Sequence, residues 1–192
     1  MNDRQNDNAL VSQKIILMAL GFGSAALLVK TIGLSIPVFG TVGLDPRELF
    51  VTLGAALTGP VGGILIGFMA RDWSTPILHI DSLISQAIHM AGGLWIGYTY
   101  KKLAYRRTKF AQLLLRWSIL VAVYYYLILV LGYVLIAYTL ARVYFEETFG
   151  GRSFGQAYVD LAQAATPELI ITVVITAIIL AILPPKSRRP LW

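Results

Sequence analysis

Five long runs of apolar residues, separated by short polar segments, most constrain what this chain can fold into. The runs cover residues 15–36, 49–70, 77–100, 113–144 and 169–183. A helix needs about 20 apolar residues, each rising about 1.5 Å, to cross the hydrocarbon core of a membrane. Only 14% of the residues are charged, whereas soluble domains carry about 25%. The pattern excludes an ordinary soluble enzyme and predicts an all-α integral membrane protein, with residues 1–192 forming a single transmembrane domain.

The second run is ambiguous because it contains a proline. Proline inside a helix removes a backbone hydrogen bond and clashes with the preceding turn, and it disfavours the helical conformation of the residue before it. Residues 49–70 therefore form either one kinked span or two short elements broken at Gly59–Pro60. The short elements would be two short helices or a re-entrant hairpin. We favour the broken form, which gives a six-helix bundle with both termini cytoplasmic.

Basic residues predict the orientation of this bundle. Lys and Arg are enriched in short cytoplasmic loops, and the densest basic cluster lies within residues 101–109. We therefore expect this loop, the amino-terminal tail (residues 1–13) and the basic tail (residues 185–192) to be cytoplasmic. Because the basic residues lie between apolar runs, we expect membrane lipids as neighbours and no nucleic acid as a partner.

Polar side chains in the third run predict a pocket. His79, Ser82, Gln86 and His89 follow one another at spacings of 3, 4 and 3, which places them on one stripe of a helix. Polar and ionisable groups inside a membrane usually face a cavity or a partner. The stripe therefore predicts a pocket open to the exterior. The alternative is hydrogen bonding between helices. Asp81 lies off the stripe, and we place it at the membrane interface.

Other runs supply further candidate ligand contacts. Arg47 opens the second run, Glu168 opens the last one, and Trp73 and Tyr133 could stack on a ring-containing ligand. Glu168 follows a Thr-Pro pair, as expected of an acidic residue in the first turn of a helix. Asp45 and Glu48 flank a similar helix start. For Asp45, Glu48 and Glu168, a capping role and a ligand role are therefore equally good explanations.

Several classes of chemistry lack their motifs. The chain has no cysteine, which excludes disulfides, iron–sulfur clusters and thiolate metal sites. It also has no phosphate-binding loop, no His-Glu-x-x-His and no Gly-x-Ser-x-Gly. We therefore expect a protein that is not an enzyme and has no cofactor or metal, and any active uptake would need energy from a partner or an ion gradient.

Small residues recur at a spacing of four in three of the runs. They are Ala19 and Gly23; Ala55, Gly59, Gly63 and Gly67; and Gly93 and Gly97. Such faces let helices approach closely in lipid. We expect packing within the chain and, for Ala19 and Gly23, docking of another membrane subunit as well.

The layout resembles the S component, the substrate-binding membrane subunit, of energy-coupling factor (ECF) vitamin transporters. The resemblance lies in the small pair of the first run, Ile36–Pro37, the segment Leu-Thr-Gly-Pro-Val-Gly-Gly at residues 57–63, and Ala-Thr-Pro-Glu-Leu at residues 165–169. It implies six helices in a prokaryotic cell membrane and a substrate that enters from outside. It also implies a transmembrane coupling subunit that contacts the first helix, and two separate ATPase subunits.

Two alternatives stay open. Arg47 followed by Gly59–Pro60, Gly63, Gly67 and Arg71 is also similar to the membrane sensor domain of autolysis-regulating histidine kinases. A small membrane enzyme or assembly factor would need paired acidic residues facing one cavity, and no spacing in the sequence indicates such a pair. We favour capture of a small water-soluble nutrient such as a vitamin.

Overall fold

The computed structural model describes residues 2–33, 36–39, 42–71, 73, 75–76, 78–105, 109–184, 187 and 190–191. Within these ranges, the side chains of residues 2–8, 36–39 and 42–44 lie outside the description. The described part contains six helices and one two-stranded antiparallel hairpin. The elements are α1 (Asn2–Thr31), β1 (Ile36–Phe39), β2 (Val42–Leu44), α2 (Arg47–Met69), α3 (Ile80–Leu103), α4 (Phe110–Leu140), α5 (Arg142–Phe149) and α6 (Phe154–Ile182).

Four helical segments are long and apolar enough to cross a membrane. They are Ala9–Thr31, Arg47–Met69, Phe110–Leu140 and Phe154–Ile182. The prediction of a helical protein is confirmed, and these four segments indicate a membrane protein. The short helix α5 lies between α4 and α6, where Arg and Glu residues interrupt the apolar pattern.

Helix α2 is a hairpin of two short limbs, as the favoured form of the second run predicted. Gly59 has φ 79° and ψ −169°, which interrupts the helix one residue before Pro60. A straight helix of 23 residues would separate its ends by about 35 Å. Instead, Arg47 Nη1 at the first residue donates to the Ala70 carbonyl just after the last one, at 3.1 Å. The chain therefore returns at Gly59, and both open ends of the hairpin lie together.

Glycines permit the close approach of the second limb to α3. A β-carbon at Gly63 would overlap the backbone of Gly93, and one at Gly97 would overlap the backbone at Gly59. At the next contact along the limb, Gly67 lies against the carbonyl of His89. The expectation that these small residues pack helices within the chain is confirmed. This contact also places His89 beside the open end of the hairpin.

The small pair of α1 faces the same hairpin. Ala19 is fully buried in a cluster with Val51 and Ile66, and a β-carbon at Gly23 would overlap the side chain of Met69. In this structure the pair is covered by α2, because the close approach of α1 and α2 requires small residues there. Helix α2 therefore leaves no open surface at Ala19 and Gly23 on which the other subunit expected from the sequence could dock.

We predict that Gly59→Ala destabilises the fold by about 1–3 kcal/mol, because the backbone at Gly59 lies in a region that is essentially restricted to glycine. The free energy of unfolding in detergent or nanodiscs measures the loss. Gly21→Ala is the matched control, since Gly21 is helical and a β-carbon there meets nothing within 4 Å. Equal stability of the two variants would contradict the role assigned to the Gly59 turn.

Candidate functional site

A cavity of about 330 Å³ lies at the open end of the hairpin, between α2, α3, α4, α5 and α6. Its size is at the lower end of the range of small-molecule pockets, about 300–1,000 Å³. Its apolar lining comprises Ile88, Leu129, Phe149 and Leu161, and its polar lining comprises Lys30, Asp45, Arg47, Glu48, Asp81, Ser85, His89, Tyr133, Thr148 and Glu168. Apolar walls with a few converging polar groups are typical of a ligand site.

Glu48 is the centre of the polar network and is 1% exposed. Its Oε1 accepts from His89 Nε2 at 2.5 Å, and its Oε2 accepts from the Tyr124 hydroxyl at 2.5 Å. Arg47 Nε lies 3.6 Å from Oε1 and forms an ion pair with the carboxylate. A buried charge without such partners would cost several kcal/mol. The side chain therefore joins α2, α3 and α4 at one point.

Arg47 makes the second set of contacts at the hairpin opening. Its Nη2 lies 2.9 Å from Asp45 Oδ2, and its Nη1 donates to Ser85 Oγ at 3.4 Å. Asp45 also accepts from the backbone N–H of Arg47 at 3.0 Å and lies 3.7 Å from Lys30 Nζ. Asp45 therefore does bind the backbone at a helix start, as expected of a cap, while Glu48 turns towards the cavity instead.

A π-helical stretch of α4, Tyr124–Val130, presents tyrosine hydroxyls to the carboxylates around the cavity. While Tyr124 binds Glu48, the Tyr125 hydroxyl donates to Glu168 Oε1 at 3.0 Å and contacts Thr172 Oγ1 at 3.0 Å. π-helical turns are rare and occur mostly at functional sites. The two tyrosines support the acidic side chains from behind, and neither lines the cavity itself.

Asp81 forms a separate polar group at another part of the cavity wall. Its Oδ1 accepts from the Tyr133 hydroxyl at 2.5 Å and from the Tyr144 hydroxyl at 3.0 Å. The two hydroxyls also hydrogen-bond each other. Tyr144 belongs to α5, outside the long helices, and partial burial raises its pKa above the ordinary value. This group therefore ties α5 to the start of α3.

Four of the residues predicted to bind substrate line the cavity: Arg47, His89, Tyr133 and Glu168. The other four, Trp73, His79, Ser82 and Gln86, lie outside its lining. Ser82 Oγ contacts Thr75 Oγ1 at 2.5 Å, and Gln86 Nε2 donates to the Phe68 carbonyl at 3.1 Å. These two side chains follow the alternative interpretation, hydrogen bonding between segments of the chain. His79 is exposed just before α3.

Trp73 also lies away from the cavity and is 43% exposed. Its ring packs edge-on against Phe68, with 5.6 Å between centroids, and under the guanidinium of Arg71 at 5.2 Å. Trp73 therefore packs on neighbouring side chains and does not line this cavity, and its stacking on a ligand stays a prediction. An exposed tryptophan near a helix end is typical of a membrane interface.

The predicted stripe on α3 is offset from the cavity by one residue. The side chains that line it are Asp81, Ser85 and Ile88, again at spacings of 4 and 3, together with His89. One residue corresponds to a rotation of about 100° around a helix. Asp81 lies on the cavity face of α3, which its spacing to Ser85 and Ile88 could have indicated.

Two further lining residues had weaker signals. Lys30 is a charge within an apolar run, which by itself suggests a cavity or a partner. Glu48 could be explained as a helix-start residue, which concealed its role. Among the described residues, no group of three or more His, Asp or Glu side chains has a geometry that could hold a metal ion.

We predict that Glu48→Ala lowers the free energy of unfolding by about 3–5 kcal/mol, because it removes one of the two carboxylates that pair with buried Arg47 and leaves His89 Nε2 and the Tyr124 hydroxyl without their acceptor. Chemical or thermal unfolding in nanodiscs measures the change. Glu147→Ala is the control, since Glu147 is exposed on α5 and surface changes usually stay within about 0.5 kcal/mol. Similar values for the two variants would show that Glu48 does not hold the network together.

Compared with protein-family models, curated proteins and solved structures, the chain matches none of them.

Proposed function

We propose that this protein is the membrane subunit that captures a small water-soluble nutrient, such as a vitamin, for uptake. The observation that carries the proposal is the cavity, because it brings Arg47, His89, Tyr133 and Glu168 from four different helices to one space of about 330 Å³. Half of the side chains selected from the sequence as ligand contacts meet there. A volume of this size suits a metabolite better than a peptide or a lipid headgroup with its chains.

In this proposal the cavity opens to the exterior and the bundle crosses a prokaryotic cell membrane several times. The basic residues of α3 support this orientation, because residues in its first half line the cavity while Lys101 and Lys102 lie in its last turn. The path from His89 to Lys101 is 12 residues, or about 18 Å of helix. The positive-inside rule then assigns the cavity to the outer half.

Both termini are cytoplasmic in this arrangement. The backbone N–H of Leu191 donates to the Leu57 carbonyl at 3.2 Å, which puts the end of the chain beside the turn of the α2 hairpin. That turn contacts Gly97, close to the basic end of α3. A coupling subunit and two ATPase subunits complete the proposed transporter, and their inclusion rests on the resemblance to S components.

The acidic lining also meets the requirement stated above for a membrane enzyme, namely acidic residues facing one cavity. Two of the four carboxylates are already held by cations: Asp45 by Arg47 and Lys30, and Glu48 by Arg47. An acid–base pair needs carboxylates with access to the reacting atoms. The remaining two carboxylates, Asp81 and Glu168, lie on different helices and bind tyrosine hydroxyls, and we propose that they help to bind a solute that leaves the site unchanged.

We predict that protein purified in mild detergent retains a metabolite of vitamin size, detected by native mass spectrometry. Leu129→Trp should abolish this retention, because Leu129 lines the cavity and the larger ring fills it. Leu127→Trp is the matched control on the same helix, since Leu127 is 54% exposed and does not line the cavity. Retention by both variants, or by neither, would contradict capture in this cavity.

Cysteine labelling tests the orientation, because the natural chain has no cysteine. Glu147→Cys, on the exposed surface of α5 beside the cavity, should react with an impermeant maleimide in intact cells. Lys109→Cys, in the basic segment before α4, should react only after the membrane is permeabilised. The opposite pattern would turn the cavity towards the cytoplasm and would contradict capture from outside.

A further inference from the structure

The charged groups around the cavity do not balance. Its lining holds two cationic side chains, Lys30 and Arg47, and four acidic ones, Asp45, Glu48, Asp81 and Glu168. The excess is two carboxylates when His89 is neutral and one when it is protonated. In surroundings of low polarity, a carboxylate without a counter-charge either takes up a proton or binds a cation.

The excess resides in Asp81 and Glu168. Both cationic side chains are engaged at the hairpin opening, where Asp45 pairs with Lys30 and Arg47, and Glu48 pairs with Arg47 and His89. By contrast, Asp81 accepts from the hydroxyls of Tyr133 and Tyr144, and Glu168 accepts from the hydroxyl of Tyr125. In the part of the chain that the structure describes, no Lys, Arg or His lies within 4.0 Å of either carboxylate.

Arg47 adds an independent sign of a missing ligand. Its guanidinium lines the cavity and is about nine-tenths buried, yet its Nε makes no hydrogen bond and lies 3.6 Å from the nearest acidic oxygen. A buried donor without an acceptor is costly, about 1–3 kcal/mol. Because Nε itself is closed to solvent, an acceptor on a bound molecule would meet the part of the guanidinium that lines the cavity.

We infer that the ligand of this cavity is a small organic cation that also carries a hydrogen-bond acceptor. Its positive group lies near Asp81 and Glu168, its acceptor faces Arg47, and its apolar body contacts Tyr133 and Phe149 on the cavity wall. Aromatic faces attract organic cations in addition to the carboxylates. The inference rests on the proposed capture function, which it deepens by assigning the charge class of the solute.

The test uses three probes with the same ring and nearly the same substituent but different charge: 1-methylnicotinamide (cation), nicotinamide (neutral) and nicotinate (anion). Binding to the full-length protein in nanodiscs is measured by isothermal titration. We expect the cation to bind at least about tenfold more tightly than the neutral probe, and nicotinate to bind most weakly. Both amides offer the same carbonyl to Arg47, so the difference reports the charge and the N-methyl group that creates it.

Two conservative variants locate the effect. Glu168→Gln and Asp81→Asn keep the size of each side chain and an oxygen for the tyrosine hydroxyls, and should each weaken the cation about tenfold. Nicotinamide binding should change little, and Glu147→Gln should leave all three affinities unchanged. If a variant does not fold, the ranking of the probes on the wild-type protein decides by itself.

The outcomes separate this inference from the proposed function. Equal affinities for the three probes, or a preference for nicotinate, would overturn the inference of a cationic ligand. If the probes bound with such affinities to the wild-type protein but not to Leu129→Trp, the proposal of capture in the cavity would stand. A retained metabolite that is neutral or anionic would likewise overturn only the charge assignment. No probe bound and no metabolite retained would contradict both proposals.

Discussion

The structure depends on placing a buried carboxylate and a buried guanidinium, Glu48 and Arg47, side by side inside an apolar bundle. Neither charge is tolerable there without partners, and the partners come from different helices: His89 from α3, Tyr124 from α4 and the Ala70 carbonyl after α2. The need for these partners fixes the relative positions of α2, α3 and α4 at the point where they surround Glu48 and Arg47. The cavity is the space that these helices enclose around the polar groups.

The hairpin form of α2 makes this arrangement possible. If residues 47–69 continued as one straight helix, Ala70 would lie about 35 Å from Arg47, and its carbonyl could not accept from the guanidinium. The return at Gly59 brings both ends of the hairpin to α3, where Gly63, Gly93 and Gly97 let the backbones approach. A local conformational property of one glycine therefore has its consequence at the other end of the element.

The sequence predicted the features that follow from composition and local chemistry. The helical class, the break at Gly59–Pro60 and the packing role of the small residues needed only apolar length, proline sterics and residue size. Arg47, His89, Tyr133 and Glu168 were identified as candidates because polar groups in apolar runs are costly. Their meeting in one cavity could not be predicted, since it depends on which helices are neighbours.

The offset of the predicted α3 stripe from the cavity has one physical cause, namely that the rotation of a helix about its axis is set by tertiary contacts. A stripe at spacings of 3 and 4 shows that one face is polar, but Ser82 and Gln86 belong to the side that meets neighbouring segments, and Asp81 and Ser85 belong to the cavity. Glu48 was missed for a different reason. Its position in a first helical turn has a sufficient local explanation, so nothing in the sequence required a longer-range role.

The wider winding of α4 between Tyr124 and Val130 has a consequence for how this chain can change in length. Because a π-helical turn bonds each residue to the fifth one before it rather than the fourth, the stretch accommodates an extra residue without turning the residues beyond it about the helix axis. Removing a single residue from it would restore regular winding and leave Tyr133 on the side of Asp81. The same deletion in a regular stretch of α4 would turn everything beyond it by about 100°. A single-residue deletion is therefore tolerated better at residues 124–130 than elsewhere in α4.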